Sequence, residues 1–280
     1  MDAEQKIIHS VVEKHLKEKE KSAFSLKEAL GLAERELISL VGAGGKTTLM
    51  FRLANELFLA GKRVITTTTT RIMEPAAEET PLLIVEADEE KAAGAARDAL
   101  RKHHHITLAQ ERLGAGKLKG VTSRLIGDLW DSPGVDYLIV EADGAAGRPV
   151  KAPREWEPVI PPDSTLVIAI LGIDGMGRDL QEENVFQAAI ISRITGLPLG
   201  EKITDEAFAL LFTHREGVFK GAPLSSRVVA FLNKVDVPDG IARARAVSRR
   251  IIEKGHRQIE RIVLGQAKKV PPAVEVILAR

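Results

Sequence analysis

Seven consecutive residues, Gly42-Ala43-Gly44-Gly45-Lys46-Thr47-Thr48, combine the groups that a bound phosphate needs. Small residues let successive backbone N–H groups turn toward phosphate oxygens at a helix N-terminus, Lys46 adds a point charge, and the Thr47 hydroxyl can ligate Mg²⁺. The full phosphate-loop pattern puts glycine at position 40, where the chain has Leu40, so the match is to the shorter form G-x-x-G-K-T-T. The flanks supply the context. Residues 37–41 are an apolar run suited to a strand, and Leu49, Met50, Leu53, Leu57 and Phe58 mark a helix that ends at Gly61.

Nucleotide chemistry also needs acids near that loop, and the hexapeptide LIVEAD occurs twice, at 83–88 and 138–143. After the first copy come Glu89, Glu90 and an alanine-rich stretch, where acids cap a helix and complement its dipole. After the second comes Gly144-Ala-Ala-Gly147, a poor helix start, which leaves Glu141 and Asp143 at the C-terminal end of a buried strand. A period of two puts both on one face. They are the expected metal-side acids, holding Mg²⁺ through water or orienting an attacking water. In the run VITTTTT, Thr66, Thr68 and Thr70 share a side, and Thr68 or Thr69 is a candidate second hydroxyl for Mg²⁺ or the γ-phosphate. Arg148, with Lys151 behind it, is suited to negative charge developing on a transferred phosphoryl group.

A base reader follows later in the chain. The tetrapeptide Asn233-Lys234-Val235-Asp236 ends a buried-strand pattern. An Asp carboxylate accepts from both N1–H and N2–H₂ of guanine, a donor pair that adenine lacks, while Asn contacts the other edge and the Lys stem lies along the ring. The motif therefore favours GTP over ATP, although there is no clean D-x-x-G switch after the phosphate loop, and Asp143-Gly-Ala-Ala146 misses it by one residue. Gly172-Ile-Asp174-Gly-Met-Gly177-Arg178 ends another apolar run and is expected to line the substrate or partner side.

The elements that must position these groups are short β-rich runs at 37–41, 63–70, 82–86, 136–141, 165–171, 228–233 and 259–264, alternating with helical stretches. That alternation predicts an α/β fold of the P-loop NTPase type, with a doubly wound, mostly parallel sheet. Residues 1–34 read as an N-terminal helical appendage, with a Ser25–Glu28 capping box, and 35–280 as the nucleotide-binding domain. Within that domain 181–220 is a candidate helical subdomain, and the proline-rich 148–162 reads as a functional loop or lid.

Composition removes other classes. The 280 residues carry 40 Lys plus Arg against 39 Asp plus Glu, a net charge of +1, which argues against a dedicated grip on nucleic acid or on an anionic membrane. No apolar run has membrane-spanning length, and the N-terminus has no apolar core typical of an export signal, so a cytoplasmic location is expected. With no cysteine there is no disulfide, no thiolate metal site and no way for the protein itself to carry a persulfide or perselenide. His103, His104 and His105 cannot all face one metal, and a surface cluster is the expectation there.

Taken together, VGAGGKTT, the threonine strand, VEADGAAGRPVKAPREWEPVIP, the G-x-D-x-x-G segment, ITGLPLG and LNKVD resemble the YqeC family. These are described as accessory proteins of selenium-dependent molybdenum hydroxylases, or selenium cofactor biosynthesis proteins. The resemblance runs from about residue 30 to 238, and Gly42, Gly44, Gly45, Lys46, Thr47, Glu141, Asp143, Arg148, Asn233 and Asp236 fall on its motifs. Family members often carry histidine after the threonine run, where this chain has Arg71. The resemblance implies a nucleotide hydrolase partnered with such a hydroxylase or its cofactor machinery. A small-molecule kinase or Mur-like ATP-dependent ligase, and a nucleotide sensor without turnover, are the competing readings.

Overall fold

The computed structural model describes residues 24–279, so most of the helical appendage expected at 1–34 lies outside the described residues. Nine strands form the main sheet: β1 (Glu36–Gly42), β2 (Val64–Thr68), β4 (Leu83–Val85), β5 (His105–Ala109), β8 (Tyr137–Glu141), β9 (Leu166–Gly172), β10 (Arg227–Asn233), β11 (Ile259–Gly265) and β12 (Ala273–Leu278). Their order is β12-β11-β10-β9-β1-β8-β2-β5-β4, and every pairing is parallel except β11 with β12. Three short strands, β3 (Arg71–Met73), β6 (Glu111–Leu113) and β7 (Lys117–Lys119), make a separate antiparallel sheet.

Helices cover both faces: α1 (Leu26–Leu30), α2 (Lys46–Leu59), α3 (Glu89–His103), α4 (Ser123–Trp130), α5 (Ala188–Thr195), α6 (Asp205–Thr213) and α7 (Gly240–Lys254). Alternation along the central strands sorts the core. Val229 and Phe231 of β10 join Ile38, Leu40 and Ile168 beneath α1 and α2, whereas Val228, Ala230 and Leu232 turn to the other face and pack with α5, α6 and α7. Under the far half of that second face, Ile65, Leu138 and Val140 meet α3 and α4. The chain has an α/β fold with a doubly wound, mostly parallel sheet. Among the described residues no helix is long and apolar enough to cross a membrane.

All seven β-rich runs appear as strands, and three local expectations need revision. The short helix capped by Ser25 and Glu28 forms as expected, but it is built into the core: Leu26, Ala29 and Leu30 are buried, and the Leu26 and Lys27 N–H groups donate to Glu56 at 3.0 and 2.9 Å. The segment 148–162 is packed down, not poised as a lid. Val150, Lys151, Ala152 and Glu157 are buried, Val159 N–H donates to the Ala142 carbonyl, and Lys220 donates to the Arg154 and Glu155 carbonyls. The histidine cluster splits. His103 and His104 are exposed, but His105 begins β5, lies buried beside Thr66, and is lowered to a pKa of about 4 by desolvation.

Candidate functional site

Strand β1 lies between β8 and β9, and around it the strand order turns from one half of the sheet to the other. Such a switch point leaves a crevice at the carboxyl ends of the strands, where ligands of open α/β sheets bind. The glycine loop occupies that crevice. Its glycines answer two demands: Gly42 has φ 97° and Gly44 φ 80°, and a Cβ on Gly44 would lie 2.5 Å from Gly172 N and 2.8 Å from the Pro149 carbonyl. Gly45 N-caps α2 without a side-chain hydrogen bond, so the first-turn N–H groups of that helix point at the crevice. Ala43 is buried, with its N–H on the Ile170 carbonyl, and Thr48 is half-buried in the first turn.

The acids of the second LIVEAD copy converge on this loop. The Thr47 hydroxyl donates to Glu141 Oε2 at 2.7 Å. Lys46 Nζ donates to the Gly42 carbonyl at 2.6 Å and stands 3.2 Å from Asp143 Oδ1 and 3.8 Å from Glu141 Oε1. Asp143 Oδ2 accepts from Gly42 N–H at 3.1 Å and pairs with Lys151 Nζ at 2.9 Å. Burial alone would lower the Lys46 pKa, but the Asp143 and Glu141 carboxylates reverse that and raise it. Burial pushes the Glu141 carboxyl up, and the Lys46 charge and Thr47 hydrogen bond only partly offset it.

These residues suit a hard divalent cation. Thr47 Oγ1 and the Glu141 carboxylate are in contact, and Asp143 Oδ1 is buried with only its ion contact to Lys46 at 3.2 Å. All are oxygen donors of the kind Mg²⁺ takes. Among the described residues no group of three or more His, Cys, Asp or Glu could hold an ion by itself. An ion here therefore needs phosphate and water oxygens to complete its shell, which is how Mg²⁺ sits in nucleotide sites.

The other expected residues fall in three places. Thr68 is buried at the end of β2, but its hydroxyl donates to the Glu141 backbone carbonyl at 2.7 Å and accepts from Thr70 N–H at 3.0 Å. It ties β2 to β8 at the site's edge, and the geometry does not favour it as a metal ligand. Arg148 is half-buried beside Pro149, whose carbonyl accepts from Gly172 N–H at 2.8 Å, and its guanidinium makes no hydrogen bond or ion pair among the described residues. At the end of β10, Asn233 is buried and both ends of its amide are occupied, Nδ2 donating to the Gly44 carbonyl at 2.7 Å and Oδ1 accepting from Ala267 N–H at 2.9 Å. Asn233 thus pins the glycine loop to the loop after β11. Lys234, at φ 65°, pairs with Asp174 at 2.9 Å, while Asp236 is exposed and 3.6 Å from Lys269.

Sequence reasoning undervalued Lys151 and passed over Glu157 and Ala267. Lys151 carried a signal in its closeness to the acids, Glu157 looked like one more charge in a polar loop, and Ala267 contributes only its backbone N–H, which no side-chain pattern betrays.

The sequence matches the family described as YqeC protein over residues 38–189. It is 33% identical over 249 residues to the uncharacterized protein YqeC of Escherichia coli (strain K12), covering 86% of this chain and 92% of that one. Among solved structures it is similar to the signal recognition particle receptor FtsY from Elizabethkingia anophelis, with a TM-score of 0.37 and 14% identity, over 91% of this chain and 66% of that one. The glycine loop, both LIVEAD copies and Lys151 lie inside the matched span, and the chain belongs to the YqeC family.

Proposed function

We propose that this protein binds a nucleoside triphosphate with Mg²⁺ and hydrolyses it slowly, with GTP preferred over ATP. One observation carries the reading: a glycine loop at the switch point of the sheet, with Lys46 and Thr47 in direct contact with the buried Asp143 and Glu141. The buried cluster holds two ammonium groups, Lys46 and Lys151, against three carboxylates, Glu141, Asp143 and Glu157. Its excess negative charge disfavours a bare triphosphate and favours one that brings a divalent cation.

Bound phosphates would accept from the first-turn N–H groups of α2, and Lys46 would turn from Asp143 to the β- and γ-phosphates. Thr47, Glu141 and Asp143 would hold Mg²⁺, whose chemistry is to neutralise charge on the phosphate oxygens. Glu141, its pKa raised by burial, is the group placed to orient an attacking water, and Arg148 is free to meet charge developing on the transferred phosphoryl. Asp236, exposed at the end of β10, is the expected reader of guanine, with Lys234 fixed by Asp174 and Asn233 holding the loop beneath.

A place as accessory factor to a selenium-dependent molybdenum hydroxylase, in the cytoplasm, rests on the family resemblance. With no cysteine to carry selenium, a nucleotide-driven switch or insertion step fits that role better than carriage. The test is calorimetric titration with GTP, ATP and non-hydrolysable analogues in Mg²⁺, with Lys46→Ala and Asp236→Ala as controls. Tighter GTP binding that loses its preference in Asp236→Ala supports the reading. Preference for ATP, or turnover dependent on a small acid or hydroxyl acceptor, moves the assignment to a kinase or ligase, and binding without turnover makes the protein a sensor.

A further inference from the structure

One buried cation has no task in phosphate binding. Lys151 Nζ is fully buried, with Asp143 Oδ2 at 2.9 Å, the Gly144 carbonyl at 2.6 Å and Glu157 Oε2 at 3.0 Å, and the Phe186 ring centroid 5.3 Å away. The Gly144 carbonyl and Glu157 accept two of its N–H bonds and its charge is paired with Asp143, so the ammonium is committed to this cage. The cage is itself braced. Phe186 N–H donates to the Val150 carbonyl at 2.9 Å, Ala152 N–H to the Phe186 carbonyl at 3.3 Å, and Arg154 N–H to Glu157 Oε2 at 3.3 Å.

Asp143 divides its two oxygens between two lysines. Lys151 and Gly42 N–H hold Oδ2, while Oδ1 faces only Lys46. A Lys46 that turns to phosphate leaves Oδ1 to the incoming Mg²⁺, and a fully buried carboxylate with no cation on Oδ2 during that exchange is strongly disfavoured. We propose that Lys151 is a positioning residue: it clamps the Asp143 carboxylate in place so that Lys46 can exchange Asp143 for the phosphates of the nucleotide. This rests on the nucleotide reading above.

Lys151→Met alone leaves the buried Glu157 carboxylate without a cation and can unfold the chain, so the decisive variant is Lys151→Met with Glu157→Gln, which removes one charge of each sign. Its affinity for a non-hydrolysable GTP analogue with Mg²⁺ is measured by calorimetry, in the Asp143 and the Asp143→Asn backgrounds, alongside the thermal midpoint. With Asp143 present and the midpoint near wild type, Kd is expected to rise about tenfold. In the Asp143→Asn background there is no carboxylate at this position to strand, and the same pair of changes is expected to shift Kd by less than about twofold. An unchanged Kd with Asp143 present, or an equal loss in both backgrounds, overturns the clamp and leaves nucleotide binding standing. A wild-type protein that binds no nucleotide overturns both.

Discussion

The two LIVEAD segments have six residues in common and almost nothing else. In the first, β4 is the edge strand of the sheet and Leu83, Ile84 and Val85 are each half-buried. Its acids serve the local backbone: Glu86 accepts from Asp88 N–H at 3.0 Å, and Asp88 caps α3 by accepting from Lys91 N–H at 3.0 Å, with Glu89 and Glu90 in the first turn. In the second, β8 lies between β1 and β2, all five of its residues are buried, and no helix follows at once. Its acids serve the tertiary structure, contacting Thr47, Lys46, Gly42 and Lys151. The same carboxylates are caps at an edge and candidate ligands at the centre, because the neighbouring strands and the following residues decide what comes within reach.

The strongest way to break this contrast is through turnover. Glu141→Gln and Asp143→Asn are each expected to cut phosphate release from GTP by about a thousandfold, roughly 4 kcal/mol in the barrier. Glu86→Gln and Asp88→Asn should leave the rate within about twofold. Equal losses in both copies would show that the acids act through folding.

The sheet half that carries the first copy has its own signature in acid. His105, on β5 beside β4, is held near a pKa of about 4 against an ordinary 6.5. Between those values the unfolded chain binds a proton that the folded one does not, so stability is lost as pH falls from about 6.5 to about 4, by up to roughly 3 kcal/mol. Urea unfolding at pH 7 and pH 5 should show a smaller drop in His105→Gln than in wild type. An identical drop would mean that His105 titrates normally.

Smaller effects sharpen the local role of the first copy. Asp88→Ala should cost about 1 kcal/mol by loss of the α3 cap and lower the thermal midpoint by a few degrees, with nucleotide affinity unchanged. Thr68→Val tests the strand tie at the second copy: the hydroxyl's bond to the Glu141 carbonyl is worth about 1 kcal/mol of stability, and Mg²⁺ dependence should stay as in wild type. A changed Mg²⁺ requirement would restore Thr68 to the metal.

Periodicity made much of the fold legible. The runs that became β1, β4, β8, β9, β10 and β11 were visible as short apolar segments, and β2 as a run of β-branched residues. Strand β5 escaped because it opens at the end of a histidine triplet, and β3, β6 and β7 because they are short and charged. The prolines of 148–162 suggested a functional loop or lid, and contacts with Ala142, Phe186 and Lys220 hold that segment against the site.

The sequence by itself determined the glycine loop between strand and helix, the strand alternation and the helix cap after the first acidic copy but not the second, since each depends on residue types within a few positions of one another. Only the tertiary structure decided that Lys151 and Glu157 belong to the cluster, that Asn233 pins the loop by its amide, and that Thr68 ties two strands. Those are contacts across 6 to 189 positions of chain, and the chain order of residues says little about which side chains a parallel sheet will bring to one end.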